Sequence, residues 1–249
     1  MPLFRTRSLA LGIALPFAFA IVVPMGAGAA DRSVSGAALL SSSQSAAARQ
    51  NSVHVVSTAS ADGVGANPDL PASVGITTDA ARLEGIQHVT FHEGGTSGHE
   101  IVEEVHGIGY LQGDAFTLQA FNGFSAAAAT RYAGVWLSVT KSDGAFAKLT
   151  SGLTMATMPA QLAMPGTAVF NGKAKINGQQ VVTLRSTATS SSQTVSALLS
   201  MRSRGVPLPV EETFKESGGG SGSDAYSRWN KSVVVTAPPN STPFSATGQ

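Results

Sequence analysis

Five histidines, at 54, 88, 92, 99 and 106, are the first residues with the chemistry of metal ligands or acid–base groups. His88 and His92 share the parity of one strand, but the strand rise sets them about 13 Å apart, too far to share an ion. His92 and His99 flank a glycine turn and can approach across two strands, with Glu93 or Glu100 nearby. A metal centre needs three converging ligands, each fixed by further hydrogen bonds. Solvated histidines beside a polar turn are the simpler reading, and no metal is expected. Gly95-Thr96-Ser97-Gly98-His99 fails as a nucleophile elbow because its last position is histidine. Gly107-Ile108-Gly109-Tyr110-Leu111-Gln112-Gly113 brings its last glycine one place late for a dinucleotide fingerprint, and it lies in β-rich sequence without the helix that would hold a phosphate.

Glu103-Glu104 and Glu211-Glu212 are adjacent pairs. Neighbouring strand residues point to opposite faces, so neither pair forms an acid–base dyad alone and at most one member of each can serve. A solvated edge is the expectation for both. With no cysteine in the chain, a disulfide framework, a thiolate site, a cysteine nucleophile and a thioether lipid anchor are excluded. No catalytic residue and no cofactor are therefore expected. What remains is apolar material: Leu118, Phe121, Phe124, Phe146, Leu149, Leu153, Met155, Met158 and Leu162. Either it fills a core, or helices stand off a sheet and line a cavity for an apolar ligand.

These residues need elements to position them. Ser35 to Gln50 reads as an Ala/Ser-rich helix that must pack to persist. Ser52–Thr58, Gln87–His92, Ile101–His106 and Ile108–Phe116 are β-rich, with Asp62 to Pro71 a loop. A second helix is expected from Leu118 to Tyr132, a strand at Gly134–Val139, and a third helix from Asp143 through Leu149 toward Thr157. Five further β-rich runs follow: Thr167–Phe170, Gln180–Arg185, Thr194–Met201, Val206–Phe214 and Ser232–Thr236. Ser217 to Ser223 reads as a flexible Gly/Ser loop and residues 239–249 as a disordered tail. Segregated helices and strands joined by short turns indicate an α+β fold on one antiparallel sheet.

Charge and leader narrow the class. Charged residues make up 12% of the 249-residue chain, against about a quarter in ordinary globular domains. Without Arg5 and Arg7 the count is 14 basic against 15 acidic residues, which leaves no basic face for nucleic acid. Residues 1–30 combine Arg5 and Arg7, the uncharged apolar run Leu9–Val23 and a small-residue MGAGAA segment, the pattern of an export signal. The uncharged stretch could alternatively be retained as an anchor. Residues 31–238 are then a single exported domain, secreted or held in the cell envelope. Arg202 and Arg204 flank a turn, where they either keep a hairpin tip soluble or touch anionic headgroups in a transient membrane-surface contact.

Several segments resemble one family. SVHVVSTAS at 52–60, GVWLSV at 134–139, SGLT at 151–154, INGQQVVTLR at 176–185 and RGVPLPVEE at 204–212 are similar to segments of the actinobacterial LppX/LprG-type exported lipoproteins, as are Trp229 and VVVTAPP at 233–239. These share the fold of the periplasmic carrier LolA. The resemblance implies a single strongly curved antiparallel sheet, a half-barrel, with helices covering its concave face. It implies a lipid, glycolipid or acyl chain as partner, held between sheet and helices. Carried over by position, it assigns the cavity lining to Leu118 and Phe121, to Val135 and Leu137, and to Leu153, Met155 and Met158. The family's lipobox cysteine has no counterpart here. The expected function is a non-enzymatic exported carrier; the alternatives are a secreted surface protein with a filled core, or an envelope hydrolase.

Overall fold

The computed structural model describes residues 35–61, 71–190 and 193–248. The expected leader, and nearly all of the loop expected at Asp62–Pro71, lie outside them. Ser35 accepts a hydrogen bond from Ala38 N and starts helix α1, Gly36–Ala48. The β-rich runs become β1 (Ser52–Ser60), β2 (Ser73–Ala81), β3 (Glu84–Glu93), β4 (Thr96–Val105), β5 (Ile108–Gly113) and β6 (Leu137–Val139). After a long connection come β7 (Val169–Ile176), β8 (Gln179–Thr189), β9 (Thr194–Arg202), β10 (Pro209–Glu216), β11 (Ser221–Ser227) and β12 (Thr242–Pro243).

Among the described residues these twelve strands form one open sheet in the order β12-β6-β5-β4-β3-β2-β1-β11-β10-β9-β8-β7. Every pairing is antiparallel except β12 with β6. The order is two meanders back to back. β1 to β6 step outward one way, β11 back to β7 step outward the other way, and β1 joins β11 at the centre. The α+β expectation of a single, mostly antiparallel sheet is the architecture found. Alternation selects the inner face: in β2, Val74, Ile76, Thr78 and Ala80 are buried and the residues between them are not.

This topology forces one long traverse. β6 and β7 lie toward opposite sides of the sheet, so residues 140–168 must cross it. They do so over the inner face. Leu153 packs with Val102, Leu111 and Leu118; Met155 and Met158 pack with Val53, Val55 and Ala80; Met164 and Ala168 reach Leu184, Leu199 and Met201. Met155 N donates to Ala81 O at 2.8 Å, pinning the traverse at its middle. At Gly85 a side chain has no room, because a Cβ would lie 1.8 Å from the Leu153 carbonyl oxygen.

Several expected elements change. The single helix over 118–132 is two short ones, α2 (Ala115–Ala120) and α3 (Ala126–Tyr132). Asn122 donates from its side chain to Glu100 and to Thr117 O, and Gly123 takes a φ of +77°, so the helix stops and Ser125 caps a new one. The third helix shrinks to α4, Phe146–Leu149, followed by turns and a 3-10 segment at Met158–Leu162. The Asp143 carboxylate accepts from Thr140 N and Oγ, closing a turn instead of capping a helix. The Gly/Ser stretch expected as a flexible loop contributes β11, which lies between β1 and β10. Ser232–Thr236 is no strand: Val233, Val235 and Ala237 lay their side chains on the outer face against Val105 and Tyr110. The tail is not disordered through 248: Thr242 N donates to Trp136 O, β12 pairs with β6, and Phe244 packs against the cluster around Leu118.

Candidate functional site

Between the traverse and the centre of the inner face lies a cavity of about 140 Å³. Its floor comes from alternate residues of neighbouring strands. Val55, Ser57 and Ala59 belong to β1, Val74, Ile76 and Thr78 to β2, and Val195 and Ala197 to β9. Phe214 of β10 and Tyr226 of β11 complete the apolar wall. Six adjacent strands, β3 to β9 through the centre, border this one space; laid flat they would span about 24 Å, so the sheet curls around it. The roof is the traverse: Ser151, Gly152, Met158, Gln161, Ala163 and Pro165. Gln161 Nε2 donates to Ser151 Oγ at 3.3 Å and braces it, and Gln44 of α1 ties it down through Leu162 O at 3.1 Å.

Two carboxylates share the floor. Glu212 and Asp224 are direct cross-strand partners on β10 and β11, which brings their Cβ atoms within about 5 Å. Glu212 is 7% exposed, and its Oε2 has no hydrogen-bond partner among the described residues. Burial pushes its carboxyl up to about 8, and the Asp224 charge opposite adds to the rise. Burial also raises Asp224, tempered by a hydrogen bond from Ser57. Tyr226, buried beside both, is held well above the ordinary tyrosine value by burial and by the two carboxylates. The expectation of a solvated edge for Glu211-Glu212 is corrected here. β10 is an interior strand, and its register turns Glu212 inward.

A second void, about 30 Å³, lies further along the same face. Gln87 and Ser151 border both spaces. Glu100 lines the smaller one. Burial raises its carboxyl to about 7, while the Asn122 amide, 2.5 Å away, and the charge of Lys148 pull it down.

The residues the sequence assigned to a cavity lining divide unequally. Met158 borders the larger cavity. Phe121 borders the smaller void and stacks on Phe91 at 4.2 Å between ring centroids. Leu118, Leu137 and Leu153 are fully buried in one packed cluster, with Val135 against its side. Met155 is buried beside Met158 without lining the cavity. The floor residues of β2 and β11 were missed because no strand is expected at 73–81 or 221–227; those of β1, β9 and β10 lie in runs expected to be β-rich, but nothing local marks which of their residues face a cavity. The signal in β2 was its strict alternation of Val74, Ile76, Thr78 and Ala80.

Other candidate chemistry stays dispersed. Among the described residues no three metal-ligating side chains converge. His92 bonds Ser97 Oγ at 2.7 Å, and His99 faces Thr90 Oγ1 at 3.4 Å. His54 Nδ1 lies 2.7 Å from Asp79 Oδ1, and Ser227 is its partner on the other side. The Ser227 hydroxyl donates to the His54 carbonyl oxygen at 3.5 Å, and these residues line neither cavity. Arg204 is exposed at the β9–β10 turn, whereas Arg202 has its Nε buried. No helix among the described residues is long and apolar enough to cross a membrane.

No family model matches the chain, and no curated protein matches it. Among solved structures the chain is similar to LprF from Mycobacterium bovis, with a TM-score of 0.52 and 14% identity over 80% of this chain and 95% of that one. The lipoprotein LppX from Mycobacterium tuberculosis aligns with a TM-score of 0.48 and 16% identity, over 80% of this chain and 99% of that one. The likeness to LprF is one of fold, and it agrees with the family resemblance seen in the sequence segments.

Proposed function

We propose that this protein is an exported, non-enzymatic carrier that holds part of an apolar ligand, such as an acyl chain, between its curved sheet and the traverse. The observation that carries this reading is the cavity itself. Residues 140–168 cross the sheet without filling the space beneath them, and most of the surface left there is apolar. A dry cavity of this size accepts a molecule about as large as benzene, and small-molecule sites generally start near 300 Å³. In the described conformation the space therefore takes a short section of chain. Gly152 and Gly166, with φ of +79° and +66°, bracket the roof. The proposed setting is the cell envelope after removal of residues 1–30, with Arg204 available for a passing contact with anionic headgroups.

Native mass spectrometry of protein purified from its own host tests this directly. The expected result is a bound mass in the lipid range that organic extraction removes. Protein that is empty in every preparation and takes up no fluorescent fatty-acid analogue supports the filled-core surface protein instead.

A further inference from the structure

The Glu212–Asp224 pair says something about what enters the cavity. A buried carboxylate oxygen without a partner costs free energy, and such groups are rare in folded proteins unless something satisfies them. Replacing the pair by apolar residues of similar volume would commonly be neutral or stabilising. Here the pair instead sits in the floor of the one sizeable space described on the inner face. Among the described residues the lining contains no lysine, arginine or histidine, so none of them offers a cation to balance it. Asp224 has Ser57 on one side; Glu212 Oε2 has nothing. Around them lie Ala197, Phe214 and Met158, surfaces suited to methylene groups.

We infer that the ligand brings a hydrogen-bond donor, a hydroxyl or an amine, into the cavity beside its alkyl chain, where Glu212 and Asp224 accept from it. This inference rests on the carrier reading and sharpens it. An ester or a fatty-acid carboxylate presents only acceptors. Once Glu212 has given up its proton, above about pH 8, the first leaves it unsatisfied and the second adds a like charge to the pair. An alcohol donates one bond. An ammonium donates up to three and supplies the charge that the lining lacks.

Isothermal titration at pH 9, where Glu212 is ionised, with decanol, decylamine, methyl decanoate and decanoate tests the inference on the full mature chain. Decanol or decylamine should bind at least about tenfold more tightly than methyl decanoate, the scale of one hydrogen bond to a carboxylate. Glu212→Leu should erase that gap while leaving methyl decanoate binding in place. Glu212→Gln separates the two donors, since an amide oxygen still accepts from an alcohol but offers no charge to an ammonium. Thermal melts of both variants, expected no lower than that of the parent protein, show that they fold. Equal binding of ester and donors, or a gap that survives Glu212→Leu, overturns the inference while leaving the carrier reading intact. If none of the four probes binds, the carrier reading itself fails.

Discussion

The two halves of the inner face are built from one sheet yet packed differently. Beneath α2 and α3, the side from β3 to β6 is filled by aromatic rings. Phe121 stacks on Phe91 and meets Phe116 edge-on at 5.6 Å, while Phe124 meets Tyr132 and Phe244 edge-on at 6.3 and 5.8 Å. The void left there is about 30 Å³. On the other side, Ser57, Thr78 and Ala197 project from the sheet toward a roof of turns and a 3-10 segment, and about 140 Å³ stays open. Short helices capped by Asp114 and Ser125 settle onto the sheet and drive their rings into it. A traverse interrupted by Gly152, Pro159 and Pro165 holds no regular face to settle with, and the residues opposite it are small. Room for a guest therefore comes from where the large side chains are withheld.

The sharpest way to break this comparison is to place a charge in the filled half. Leu153 is fully buried, packed against Val102, Leu111 and Leu118. Leu153→Asp should destabilise the fold by about 4 kcal/mol or more, since it opens a hole and buries an unpaired carboxylate. Chemical denaturation checks it. A variant that keeps its stability but loses ligand uptake would mean that Leu153 faces open space, and the division into a filled and an open half would be wrong.

That residue also shows how much the sequence made legible. The apolar residues between Leu118 and Leu162 were expected to fill a core or line a cavity, and the family resemblance pointed to one curved antiparallel sheet; the single, mostly antiparallel sheet is found. The division of labour within that segment was not legible. Leu118 and Met158 look equally apolar in sequence, but one belongs to α2 over the filled side and the other to the traverse over the cavity. Only the strand order, with β6 and β7 on opposite sides of the sheet, separates them. β11 was hidden for a related reason. Ser221-Gly222-Ser223 has the composition of a linker, and its strand character comes from having β1 and β10 on either side. Glu212 looked solvated because nothing local signals an interior strand.

Titration contrasts the halves more gently. Glu100 in the filled half and Glu212 in the open half are raised from 4.5 to about 7 and about 8. In each case the folded state holds a proton that the unfolded chain releases. The stability this contributes is full below about pH 4.5 and is lost as pH climbs through the folded values. The melting temperature should therefore fall between pH 5 and pH 8, each raised pH unit corresponding to about 1.4 kcal/mol. Glu212→Gln should flatten the decline from 7 to 8 and reduce its slope below 7, whereas Glu100→Gln should reduce the slope below 7 alone. A profile that stays flat across this window would mean that both carboxylates are solvated or paired with cations.

The smallest expected change in stability falls in the open half. Ala197 is buried at 5% exposure and borders the cavity on β9. Ala197→Phe adds one phenyl ring, a group of about the volume that a cavity this size accommodates. Filling unoccupied space gains contacts, while adapting neighbours such as Phe214 costs some strain, so the net shift should stay within about 1 kcal/mol. Uptake of a fluorescent fatty-acid analogue should nevertheless be lost, because the ring occupies the position of the guest. The same addition in the filled half would have nowhere to go. If Ala197→Phe destabilises the protein as strongly as Leu153→Asp, the space is too narrow for any ring; if uptake survives, the guest sits elsewhere.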